Sequence, residues 1–93
     1  MTETKQKLPP KGSQNRRILE RLADGEKLSS YDAFMEMGIA RLPNRIGELK
    51  KKYGAKIRDR VVKHAKNPKI QWKEYWIEPD EQQKWLKELY GVA

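Results

Sequence analysis

Within one short stretch the sequence places Arg41, Asn44, Arg45 and Glu48, four side chains that can meet the edges of base pairs. Arginine offers paired N–H donors to guanine, asparagine pairs with adenine, and glutamate accepts from cytosine. Lys50, Lys51 and Lys52 follow at once, and Lys63, Lys66 and Lys69 come a little later. Lysines are point charges suited to phosphate oxygens. Any one of them reads as an ordinary solvated charge; as a set beside four base-edge groups they favour a nucleic-acid backbone. Glu48 has a second reading as a surface partner of Lys51 or Lys52. Of the upstream arginines, Arg16, Arg17 and Arg21 are expected in solvent, with Arg17 the candidate phosphate contact.

Other chemistries find less support. The chain has one histidine and no cysteine, which removes thiol nucleophiles, disulfides and cysteine-bound zinc. It has no glycine-rich phosphate loop and no pair of carboxylates with an obvious cleft to raise a pKa. No catalytic residue, metal or cofactor is therefore assigned. His64 falls on an expected loop and reads as a bystander. Trp72, Trp76 and Trp85, interleaved with basic residues, could stack unpaired bases. In so short a chain they read better as core and as cover for the last helix. RNA consequently ranks below duplex DNA.

Ninety-three residues, 37% of them apolar, allow one small domain with a modest core. Formal charge is +8, which points to an anionic partner. The charge is unevenly spread. Residues 78–93 hold two lysines against four carboxylates, a net of −2, leaving +10 on residues 1–77. No apolar run approaches the roughly 20 residues that span a bilayer, and the N-terminus lacks the apolar segment of a signal peptide. The expectation is a cytoplasmic protein without membrane contact.

The elements that must position these side chains follow from periodicity. Residues 1–12, with Lys5, Lys7, Lys11 and the pair Pro9-Pro10, read as a flexible basic arm that could follow a phosphate backbone or enter a minor groove. Ser13 then caps a helix ending at Gly25, with Ile18, Leu19 and Leu22 as its buried stripe. Lys27-Leu28 is a short connection. Ser29 or Ser30 caps a second helix whose apolar set is Ala33, Phe34 and Met37. Gly38 makes a sharp exit, and Ile39 points inward. A third helix, with Pro43 in its first turn and a stop at Gly54, carries Leu42, Ile46, Leu49 and Tyr53 on one face. Two amphipathic helices joined by a short glycine-containing link describe a helix-turn-helix. With that face inward, at about 100° per residue, Asn44, Gly47, Glu48 and Lys51 point outward and Arg41 and Arg45 flank them. The N-terminal half of such a helix is the part that lies in a major groove. Gly47, lacking a side chain, would let the backbone approach closely.

From Ala55 to Lys63 the period changes to two, predicting a strand with Ile57 and Val61 on one side and a wet, basic face on the other. Residues 64–69 form a hairpin tip. Ile70 to Ile77 returns as a second strand, with Trp72 and Trp76 on one side and Tyr75 and Ile77 covering the helices. A final helix opens at Pro79 and repeats Gln82, Trp85, Leu86 and Leu89 at helical spacing. That stripe packs on its own chain or on a second copy, and the expectation inclines to a homodimer through Trp85, Leu86 and Leu89.

The segment from Gln14 to Lys63, which contains RRILERLADGEKLSSYDAFMEMGIARLPNRIGELKKKYGAKI, resembles the small winged helix-turn-helix domains of phage and prophage regulators. The matching features are Ile18-Leu19 with Leu22, the Gly25 turn, Ala33, Gly38-Ile39, Arg41-Leu42, Arg45-Ile46 and Glu48-Leu49. The turn from Gly38 to Ile46 is longer than in the compact repressor form. The resemblance covers about half the chain. It implies DNA binding by a transcriptional or recombination-directing factor.

The expected architecture is α+β: a winged helix-turn-helix domain over residues 13–77 with three helices and a two-stranded hairpin wing. An arm precedes it at residues 1–12, and an amphipathic helix follows at residues 78–93. The expected partner is double-stranded DNA. The alternative is a winged-helix interaction module that binds and inhibits or adapts a host protein, with the Trp85 stripe as a candidate contact.

Overall fold

The computed structural model describes residues 8–91. Helix α1 (Gln14–Ala23) leads into a short strand β1 (Leu28–Ser29) and helix α2 (Ser30–Met37). Helix α3 (Leu42–Tyr53), strands β2 (Arg58–Lys63) and β3 (Gln71–Trp76), and helix α4 (Pro79–Tyr90) complete the order. The strands form one antiparallel sheet in the order β1-β3-β2.

Local chemistry sets the helix limits. Ser13 accepts from the Arg16 amide at the start of α1. Ser29 and Asp32 form a reciprocal capping box at the start of α2, which satisfies two amides that no helical carbonyl can reach. Gly38 closes α2 with φ +70°, a left-handed backbone that costs a side-chain-bearing residue about 1–2 kcal/mol. Ile39 then turns into the core, its amide donating to the Ala33 carbonyl at 3.0 Å. This tight reversal sets α3 against α2. The face Leu42, Ile46, Leu49 and Tyr53 is buried as periodicity requires, over a core that includes Ile18, Leu19, Leu22, Leu28, Tyr75, Ile77 and Trp85.

Several expectations are corrected. The sheet has three strands, because Leu28 and Ser29 pair with Tyr75 and Glu74; two residues are too few to display an alternation. Phe34, assigned to the inner face of α2, is 59% exposed. Ala33 and Met37, four apart, take the core side, and Phe34 lies one helical step beyond them. Arg16 is only 7% exposed instead of solvated; its guanidinium donates to the Pro9 carbonyl at 3.1 Å and to Glu20 at 3.2 Å. The end of the supposed arm is thereby held, with Pro9 buried and Leu8 packed on the core. The arm's first seven residues lie outside the described residues.

The tryptophans also divide. Trp85 alone is core, 2% exposed, whereas Trp72 is exposed and Trp76 half-buried on the outer side of the sheet. Lys27 and Arg60 stand over the Trp76 ring at 5.6 and 5.9 Å. Val61 is exposed although Ile57 is buried, since the hairpin runs out past the helices.

Helix α4 is a structural member. Buried Glu81 accepts from Trp85 Nε1 at 2.8 Å and from the Lys56 amide at 2.9 Å, tying α4 to the chain that leaves α3. Leu86 and Leu89 pack against the core. Of the stripe expected to pack on its own chain or on a second copy, Trp85 is thus buried in this chain's core, and Leu86 and Leu89 are partly covered by it.

Candidate nucleic-acid interface

Burial of every third or fourth residue of α3 leaves its other side to solvent. Arg41 and Asn44 are exposed, while the side chains of Arg45 and Glu48 keep 32% and 33% of their surface. Asn44, Arg45, Gly47, Glu48, Lys51 and Lys52 line one shallow open groove of about 430 Å³. Arg41 is the residue before the helix and makes no capping bond with its side chain. Lys50, Lys51 and Lys52 occupy the last turn, the end at which the helix dipole favours cations.

Glu48 differs from expectation. It pairs with neither lysine. Its Oε2 lies 3.2 Å from Arg45 Nη2, one turn earlier, and its Oε1 accepts from Asn15 Nδ2 of α1 at 3.0 Å. The Asn15 hydrogen bond is the main reason the Glu48 carboxyl sits below its ordinary range. Arg45 and Lys52 pull the same way, and partial desolvation opposes them. At neutral pH the lowered carboxyl carries its charge, which the Arg45 guanidinium meets.

A second basic cluster occupies the β2–β3 turn. Lys63 ends β2, and Lys66 and Lys69 lie in the turn, all exposed. The turn is organised by His64, whose Nδ1 accepts from the amides of Lys66 at 3.1 Å and Asn67 at 3.2 Å. Asn67 in turn accepts from the Lys69 amide at 3.2 Å. His64 is thus a structural residue of the tip and no bystander. Arg58 and Arg60 on β2 are matched by Glu78, at the start of α4, and Glu74 of β3 at 3.5 and 3.2 Å, so their charge is partly spent within the chain.

Arg17 is not brought to the α3 groove. It lines a different one with Glu20, Arg21, Asp24, Glu36, Met37 and Tyr90, where carboxylates are poor company for a phosphate.

Helix-turn-helix, hairpin and cationic outer face are the parts expected of a fold that lays a helix in a DNA groove. Comparison with protein families gives a match to the winged helix-turn-helix domain over residues 13–76. The chain belongs to the winged helix-turn-helix family. Membership supports a DNA-binding role for it, with α3 in the position of the second helix of the motif and the β2–β3 hairpin as the wing. Neither the curated proteins nor the solved structures gave a match.

Two features escaped the sequence reading. Asn15 carried no signal, because it lies 33 residues from its partner Glu48. The outer side of α2 shows Tyr31, Phe34 and Met35 to solvent, which no helical pattern announced. Among the described residues no three metal-ligating side chains converge, and no helix is long and apolar enough to cross a membrane.

Proposed function

We propose that the protein binds double-stranded DNA sequence-specifically, as a small transcriptional regulator or recombination-directing factor. Helix α3 enters the major groove with Arg41, Asn44 and Arg45 toward base edges. Lys51 and Lys52, with Lys63, Lys66 and Lys69 of the wing, meet phosphates. The observation that carries this reading is the open groove on α3 in which Asn44 and Arg45 adjoin Lys51 and Lys52 while the opposite face is core. The resemblance to phage and prophage regulators supports the regulatory role. A cytoplasmic location suits it.

The alternative is an interaction module that binds a host protein. Trp85, the surface suggested for it, is buried, which removes that residue as its contact.

A competition shift assay tests the proposal. A duplex recovered by selection from a random library should be preferred over random duplex, and the Arg41/Asn44/Arg45 triple alanine should lose that preference. With about six to ten phosphates engaged, affinity should also fall by roughly 10³–10⁵ between 50 and 200 mM salt. Equal affinity for selected and random duplex would rule out specific readout. Salt-insensitive capture of a host protein by the triple variant would favour the interaction module instead.

A further inference from the structure

Glu48 stands on the face of α3 proposed to meet DNA, where a carboxylate repels phosphate oxygens. Both its oxygens are engaged from within the chain, one by Asn15 at 3.0 Å and the other by Arg45 at 3.2 Å. Asn15 belongs to α1, so the contact braces α3 from a neighbouring helix. Its own Oδ1 is buried without a hydrogen-bond partner, an arrangement that costs free energy. Turning the amide over would bring that oxygen against the Glu48 carboxylate. Glu48 therefore dictates which way the amide points, and the orphaned oxygen is a consequence of the contact.

We infer that Asn15 and Glu48 are positioning residues for Arg45, which rests on the proposed role of α3 as base reader. Asn15 fixes the carboxylate, and the carboxylate orients the guanidinium across the front of the helix. The guanidinium has five N–H donors, so contact through Nη2 leaves others for a guanine edge. Holding the side chain in advance removes the rotamer freedom it would otherwise lose on binding. Glu48 accordingly reads no base itself. Its charge also opposes binding to arbitrary duplex.

The test measures preference for a selected over a random duplex in the full chain and in Arg45→Ala, Glu48→Ala, Glu48→Gln and Asn15→Ala. The double variants Asn15→Ala/Arg45→Ala and Glu48→Ala/Arg45→Ala are included, with thermal unfolding of each protein. Arg45→Ala should lower the preference on the order of tenfold. Asn15→Ala and Glu48→Ala should reproduce most of that loss with Arg45 still present, and add nothing to it in the double variants. Glu48→Ala should also bind random duplex more tightly, and Glu48→Gln, which keeps an acceptor, should recover part of the preference.

Asn15→Ala gives up the hydrogen bond to Glu48 but also removes the orphaned oxygen, and alanine favours helix, so the unfolding temperature should change little. A purely structural Asn15 would instead lower that temperature and leave the preference intact. If Arg45→Ala loses preference while Asn15→Ala and Glu48→Ala keep it, the positioning role is overturned and the role of α3 stands. Additive losses in the double variants would make Glu48 an independent reader and overturn it as well. If no duplex is enriched, or Arg45→Ala keeps full preference, base reading by Arg45 and this inference fall together.

Discussion

Arg41 and Arg45 are held differently, and Arg41 does not line the α3 groove. Arg41, before the first helical turn, is exposed, whereas Arg45 is held by Glu48, itself held by Asn15. Groups that meet bases and groups that meet phosphates should separate in experiment. Asn44→Ala is expected to cost about 1–3 kcal/mol of discrimination at one base pair, whereas Lys51→Ala should weaken all duplexes alike and reduce the salt slope by about one. Binding isotherms on single-base variants at several salt concentrations check both. The carboxyl of Glu48 gives a pH signature. Its folded-state value is depressed, so its contribution to stability is complete above the ordinary value of 4.5 and is lost as pH falls through the lower folded value. Replacing Asn15 by alanine should move the Glu48 titration, followed by carbon-13 NMR, upward. At this scale the sequence disclosed donors and charges but not their partners. Glu48 had lysines three and four residues ahead and an arginine three behind, and only the placement of α1 decides among them.

Helix α3 carries a glycine in its interior. Gly47 has an ordinary helical backbone, and a Cβ placed there would meet nothing within 4 Å. Alanine at this position should stabilise the free protein by roughly 0.8–1 kcal/mol through helix propensity alone. The same change should weaken duplex binding if DNA approaches the helix backbone there. Denaturant unfolding alongside a binding isotherm checks the two opposed effects. Helices α1, α3 and α4 were legible because each combines a capping or proline start, an apolar period and a glycine stop. Strand β1 was not, since two residues have no period and its pairing depends on Tyr75 and Glu74, far along the chain. The outward placement of Phe34 was equally hidden. An eight-residue helix buries a narrow stripe, and adjacent apolar residues compete for it.

Across the whole molecule, charge and packing divide the chain in two. The acidic end becomes α4, and its buried Glu81 and Trp85 close the core on the side of α1 and the turn after α3. The basic remainder supplies the α3 groove and the wing tip. The charge asymmetry and the winged architecture could be read from composition and periodicity. Whether the Trp85 stripe faced its own chain or a second copy could not, because amphipathicity states that a face must be covered and not by what. The central claim is that α3 and the wing tip together form the DNA surface. Residue-resolved NMR of the full chain during titration with a selected duplex tests it most directly. Shifts should concentrate at residues 41–52 and 63–69 and leave the outer sides of α2 and α4 unchanged. Shifts centred on Tyr31, Phe34 and Met35 or on α4, with residues 41–52 unmoved, would contradict it.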